Sequence, residues 1–342
     1  MADAVAMHSR EHTLANESIT AFVTLDDTTT EEMHSTLSRL RGEQRGAVLA
    51  SVLTLVVVAH DHDTAAHTVA MVRELKGRHP SRMIVLTLED HADTGPLDAV
   101  VSLHGESRSG GIVWFEEIVC TVRGRARYHL DSLITPFTLP DVPVVLWWPN
   151  TLPAPGEPLL KQADRILVDT RAVGERADLF MAVERLARGL PMADLSWSRL
   201  QPWRTTLAAL FEGPTCRPFL QHVTEVQVSG SFGARHLMGG WLMDRLSLAA
   251  DQIQIGDAEH VRVRVYAEMD GRGARFGVER ESDTRELSAT IDIDDGPHRT
   301  DIIPLPPQWA SRALIGPLRH TGADPVYAGA LRGAVELLGG RA

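Results

Sequence analysis

The densest run of potential ligands in the chain is His60-Asp61-His62-Asp63, with His67 four residues further on. It follows an apolar run and opens a helical stretch, a position from which loops aim ligands into one pocket, and several metallohydrolases use strand-end HxH pairs. Asp63 serves equally well as the N-cap of the helix behind it, and no second ligand cluster occurs elsewhere. A metal-dependent hydrolase or sugar-phosphate-binding enzyme built on His60, His62 and His67 therefore stands as the alternative reading, and no metal site is assigned. Gly105 to Gly111 has the spacing of a P-loop through its second glycine, but Gly111 and Ile112 stand where the lysine and the hydroxyl residue belong. Gly271-Arg-Gly273-Ala-Arg-Phe-Gly277 lies between two strand-like runs and reads as a hairpin turn, because a dinucleotide glycine loop must open a helix.

Nucleophilic catalysis finds no better support. The chain has no GxSxG elbow, and Glu116-Glu117 are adjacent in a strand-like run, which sends them to opposite faces. Cys120 and Cys216 belong to no CxxC or His/Cys cluster, and a regulatory disulfide between them is left open. No catalytic set and no cofactor are assigned.

What is left is binding chemistry. Arg123-Gly-Arg125-Ala-Arg127-Tyr128-His129 is the densest basic cluster; alternating placement on a strand would turn all three arginines one way, toward a phosphate or an acidic partner surface. A solvated strand end is the plainer account of the same run. Trp147-Trp148-Pro149 leaves an apolar strand and enters a proline-rich loop, where large aromatics are typical interface anchors, with core packing as the competing account. Asp194-Leu-Ser-Trp197-Ser-Arg-Leu-Gln-Pro-Trp203-Arg204 lies at the joint of the two halves, so Trp197, Trp203 and Arg204 are expected to pack one domain on the other.

The elements that must position these residues change character along the chain. Residues 1–17 are polar and irregular and read as a disordered tail. The first domain, 18–170, has a helix over Thr30 to Gly42 and then Leu53 to Ala59, a helix over Thr64 to Gly77, and Met83 to Leu88. Apolar β-branched runs flanking a helix mark a βαβ unit buried on both faces, so this part reads as α/β with a mostly parallel sheet. Further runs at Ala99 to Leu103, Ile112 to Val122, Val142 to Trp147 and Arg165 to Val168 extend it, with a helix over Tyr128 to Thr135. The second domain, 171–342, is α+β: helices at about Gly174 to Arg188, Thr205 to Phe211 and His236 to Leu246, an antiparallel meander over 261–269, 274–282 and 286–294, and a closing helix over Pro325 to Leu338.

The chain has 342 residues, 44% of them apolar, enough for about two domains with real cores. The net charge of −11 opposes a default role as a nucleic-acid or anionic-membrane binder. All but two of the 34 basic residues are arginine, a bias first ascribed to codon usage. The run from Ala47 to Ala59 is interrupted by Ser51 and Thr54 and falls short of the roughly 18 residues of a membrane span. The N-terminus lacks the features of a secretory signal, which leads us to expect a cytoplasmic protein.

LTLVVVA from residue 53, DVPVVLWWPN over 141–150, DRILVDT over 164–170 and DLSWSRLQPWR over 194–204 together resemble the OpcA family, the bacterial glucose-6-phosphate dehydrogenase assembly proteins. The similarity runs from about residue 18 to 338. The resemblance implies two tandem family domains, a non-catalytic role, and a partner, the NADP-dependent dehydrogenase that opens the oxidative pentose phosphate pathway. On the residues' own chemistry, Trp147, Trp148 and Pro149 are then the candidate partner-binding anchors and Arg123, Arg125 and Arg127 secondary electrostatic contacts, with self-association left open. A third reading has the α/β domain bind a sugar phosphate or NADPH near Arg123 to Arg127 and relay it to the dehydrogenase.

Overall fold

The computed structural model describes residues 18–44, 48–49, 52–75, 82–90, 96–108, 111–154, 156–171, 183, 187, 189–280, 284–305, 312–319 and 322–339. The expected tail and most of the helix expected over Gly174 to Arg188 lie outside these residues. The chain divides into two compact units, Met1–Leu167 with Leu318–Thr321, and Val168–Pro317 with Gly322–Ala342.

The first unit runs β1 (Ser18–Leu25), α1 (Thr30–Glu43), β2 (Val48–Leu49), β3 (Thr54–Ala59), α2 (His62–Arg73), β4 (Arg82–Glu89), β5 (Leu97–Arg108), β6 (Gly111–Arg123), α3 (Leu130–Ile134), β7 (Val144–Trp147) and β8 (Arg165–Val168). Its sheet has the order β1-β5-β6-β4-β3-β7-β8, with β2 beside β6. All pairings from β6 to β8 are parallel, as is β2 with β6, while β1–β5 and β5–β6 are antiparallel. A mostly parallel sheet is what the sequence implies; the antiparallel edge was not foreseen, because β1 is a half-polar strand without a continuous apolar run. Leu55, Val56 and Val57 of β3 are fully buried, as strands covered on both faces must be.

Carboxylates inside the sheet show how the two faces are covered. Glu116 takes Arg82 of β4 at 2.6 Å and Arg41 of α1, while its neighbour Glu117 takes Arg73 of α2, with Nε at 3.0 Å. Successive strand residues point to opposite faces, so α1 and α2 lie on opposite sides of the sheet and each anchors one carboxylate. The pair is thus separated as expected, and both members are buried ion-pair partners. Gly105 lies within β5 and Gly111 opens β6, a strand where a P-loop needs a helix; a side chain at Gly105 would meet the Trp114 ring at 2.9 Å. Packing against the indole accounts for that glycine.

The second unit contains β9 (Met192–Asp194), α4 (Leu195–Arg199), α5 (Gln201–Leu210), β10 (Val223–Gly230), α6 (Phe232–Leu246), β11 (Ile253–Asp257), β12 (Arg262–Met269), β13 (Arg272–Arg280), β14 (Glu286–Ile293), β15 (His298–Pro304) and α7 (Pro325–Leu337). Its sheet has the order β11-β10-β12-β13-β14-β15, antiparallel except for β10–β11. The meander is the one its alternation implies. β11 and the largely exposed β15 were missed, because neither alternates buried with exposed residues. Asp270 and Gly271 both have positive φ, 53° and 74°, at the β12–β13 connection, a geometry that suits an Asp-Gly hairpin. Helix α6 packs on β10 and β11, α5 packs on β13 and β14, and Phe211 stacks on Phe276 with centroids 4.2 Å apart.

Candidate functional site at the carboxyl edge of the parallel sheet

The candidate ligands of the first unit come from the ends of neighbouring strands. His60 follows β3, Glu89 ends β4, Arg123 ends β6 and Trp148 follows β7. The order β6-β4-β3-β7 therefore sets them side by side at the carboxyl edge, the place where open α/β sheets carry function.

A run of charge pairs links them. Arg123 donates through Nε to Glu89 at 2.7 Å and pairs through Nη1 with Asp98 at 2.7 Å; His62 Nε2 lies 2.6 Å from the other Glu89 oxygen. Hydrogen bonds from His62 and then Arg123 hold the Glu89 carboxyl below its usual range, and the backbone amide of Asp27 and then Arg123 do the same for Asp98. Arg127 reaches Asp90. Asp61, rather than Asp63, is the N-cap of α2: it accepts from the Thr64 amide at 2.6 Å and the Thr64 hydroxyl at 2.8 Å, because its extended backbone aims its carboxylate at the first turn. Asn150 donates to the same hydroxyl at 2.6 Å, tying the loop after β7 to the start of α2.

This arrangement does not assemble His60, His62 and His67 into a metal site. Among the described residues no group of three or more His, Cys, Asp or Glu side chains is placed to hold a metal ion. His62 is committed to Glu89, and His67 stands exposed on α2. Burial, then the charge of Arg127, lowers the His60 pKa against the opposing pull of Asp61. Among the described residues the interactions that organise this edge are the ion pairs of Arg123, Arg127 and His62 with Glu89, Asp90 and Asp98.

Two expectations about side-chain direction change. The arginines do not alternate on a strand: β6 ends at Arg123, Gly124 takes φ 55°, and Gly124–Tyr128 winds into a 3-10 turn. Arg123 and Arg127 turn back to the carboxylates, whereas Arg125 is exposed and Tyr128 keeps 76% of its surface in solvent. Trp147 and Trp148 are 2% and 3% exposed, and Pro149 is buried with them. Every residue of β7 is buried, and the Trp148 amide continues the ladder to Leu167 at 3.3 Å, so both indoles are enclosed rather than presented to solvent. Tyr128, the exposed aromatic that the sequence reading passed over in favour of the tryptophans, was legible from its place between two basic turn residues and a histidine.

The segment Asp194 to Arg204 belongs wholly to the second unit. Asp194 caps α4 through the Ser196 amide at 2.8 Å and accepts from the Thr170 hydroxyl at 2.8 Å and the Tyr327 hydroxyl at 3.4 Å. Burial, then the neighbouring charge of Asp169, raises its pKa to about 7 against the hydrogen bonds from Thr170 and Ser196. Trp197 donates to Asp324 at 3.2 Å, Trp203 donates to the Val261 carbonyl at 3.1 Å, and the Arg204 guanidinium lies 3.4 Å above the Trp197 ring. The partners described for Trp197, Trp203 and Arg204 are all residues of the second unit. Cys120 and Cys216 are free and buried, and burial pushes the Cys120 thiol up to about 12, far from the thiolate that disulfide exchange needs. No helix is long and apolar enough to cross a membrane among the described residues.

Fold and site together define a two-domain protein in which an α/β unit presents a charge-paired strand edge and a clamped α+β unit follows. Residues 72–186 match the family model described as the glucose-6-phosphate dehydrogenase subunit N-terminal domain, and residues 190–331 match that of its C-terminal domain. The chain belongs to the OpcA family, which is associated with the oxidative pentose phosphate pathway and with glucose-6-phosphate dehydrogenase assembly. Over 208 residues it is 27% identical to a Nostoc punctiforme protein named OxPP cycle protein OpcA, an overlap of 57% of this chain and 44% of that one. A Synechocystis protein of the same name is 28% identical over 178 residues, 49% of this chain and 37% of the relative. The chain thus spans less than half the length of the curated relatives it matches.

Proposed function

We propose that the chain is a non-catalytic subunit that assembles or activates glucose-6-phosphate dehydrogenase by protein–protein contact, docking through the carboxyl edge of its parallel strands. The observation that carries this reading is the tandem match to both glucose-6-phosphate dehydrogenase subunit domains. The edge lends itself to the role. Arg125 and Tyr128 stand exposed on one short turn, and arginine and tyrosine are the residue types that dominate interface hot spots. Arg123 and Arg127 hold that turn from behind through Glu89 and Asp90, while Trp147, Trp148 and Pro149 are buried at the end of β7, separated from β6 by two strands of the same sheet. An activator must bind the active assembly more tightly than the inactive one, because equal affinity for both shifts nothing.

The test is to assay glucose-6-phosphate dehydrogenase from the same source at increasing amounts of this protein while size-exclusion chromatography follows complex formation. A saturable rise in rate, or a new species containing both proteins, is the expected result. Unchanged rate and unchanged elution across substrate and cofactor conditions would refute the reading.

A further inference from the structure

A cavity of about 200 Å³ in the second unit is lined by three arginines, Arg171, Arg199 and Arg280, together with His260. One of the three arginine charges is paired, and the other two meet no carboxylate among the described residues. Arg199 gives one nitrogen to both oxygens of Asp169, at 2.8 and 2.7 Å, which fixes its fork and leaves its other nitrogens uncommitted. Arg280 spends only Nε, on the Thr284 carbonyl at 3.0 Å, and neither Arg280 nor Arg171 has a carboxylate within ion-pair distance among the described residues. The one anionic side chain on the wall, Glu259, is 84% exposed and lies 3.9 Å from His260.

Backbone dipoles add to this field. Ser231 and Ala234 also line the cavity, and Ser231 is the N-cap of α6, a 15-residue helix, yet its side chain accepts no hydrogen bond from the first turn. Uncapped first-turn amides beside guanidinium forks are the recognition chemistry of a phosphate group. Leu200, Trp203 and Val261 supply an apolar wall. Since one water takes about 30 Å³ of liquid, the volume admits a phosphate with a small body attached.

We propose that this cavity binds a small phosphate monoester, with Arg171 and Arg280 as its principal charge partners and the first turn of α6 as its amide cradle. The inference does not depend on the docking reading, because it concerns the second unit alone and is read without the dehydrogenase. Thermal unfolding and calorimetric titration of the full chain with glucose 6-phosphate test it, with glucose, inorganic phosphate and sodium chloride at matched ionic strength as comparisons. A ligand that binds only the folded state raises the melting temperature. Glucose 6-phosphate should give a saturable rise, and glucose and salt none. Arg171→Gln with Arg280→Gln should weaken binding by at least about tenfold, the scale of losing charged hydrogen bonds, and Glu259→Gln should leave it equal or tighter. A double variant that folds normally by circular dichroism yet binds unchanged overturns the proposal, as does an absence of saturable binding in the wild type. Equal affinity for inorganic phosphate would overturn the monoester assignment.

Discussion

At the scale of single residues, two buried acids respond to pH in opposite directions. Burial alone would raise Glu117, but His104, 3.5 Å away, and the hydrogen bonds from Arg73 outweigh it and hold the carboxyl at about 2, against an ordinary 4.5. A depressed pKa stabilises the fold above the unfolded value and loses that contribution as pH falls from about 4.5 through about 2; the difference is worth about 3 kcal/mol. Chemical denaturation from pH 6 to 2.5 should show this loss in the wild type and a flatter profile in Glu117→Gln, at a cost of about 3 kcal/mol at pH 6 because charged partners lose their counter-ion. Asp194 behaves the other way. Its pKa is raised from 3.8 to about 7, so its contribution is complete below about pH 4 and is lost as pH rises through 7. Asp194→Asn keeps an acceptor for the Ser196 amide and removes the buried charge. The variant should be more stable than the wild type above pH 7, and a lower midpoint of denaturation at pH 8 would contradict this account.

Among elements, the contact of α6 with α7 is the tightest test of packing. A side chain at Gly240 would fall on the Ala330 carbonyl and the Ala334 amide, and one at Gly333 would come within 2.6 Å of the Gly240 carbonyl oxygen. Both obstacles are backbone, which has little room to yield, so Gly240→Ala should force the helices apart and lower stability by about 3 kcal/mol in urea denaturation. An effect as small as an ordinary surface Gly→Ala change would show that the crossing relaxes. The HLMGGWLMDRL pattern disclosed the helix and its glycines but not this use of them, since a glycine pair in a helix names no partner. The same division holds elsewhere. Continuous β-branched runs made β3 and β4 legible, and the stop at Gly42 and the capping residues before Thr30 placed α1 within a residue or two. What escaped depended on neighbours: β1 is a strand because β5 pairs with it, and the 3-10 turn at Gly124 exists because Arg123 and Arg127 find Glu89 and Asp90. The tryptophans were visible as a pair, but only the burial of every residue of β7 decides that they are enclosed.

For the whole molecule, these packing roles let binding be separated from folding. Trp147 is fully enclosed, so Trp147→Ala should cost about 3–5 kcal/mol and reduce dehydrogenase binding only through loss of the folded unit. Arg125 and Tyr128 are exposed and take no part in the core, so Arg125→Ala with Tyr128→Ala should leave the melting temperature within about 2 °C. If the carboxyl edge is the docking surface, the double variant should weaken association with glucose-6-phosphate dehydrogenase by at least about tenfold, the effect of removing one hot spot. The weakening should shrink only in part as salt rises, because the Arg125 contribution is screened and the aromatic one is not. A Trp147→Ala protein that stays folded but fails to bind, beside an Arg125→Ala/Tyr128→Ala protein that binds normally, would move the contact away from the turn and toward the loop after β7.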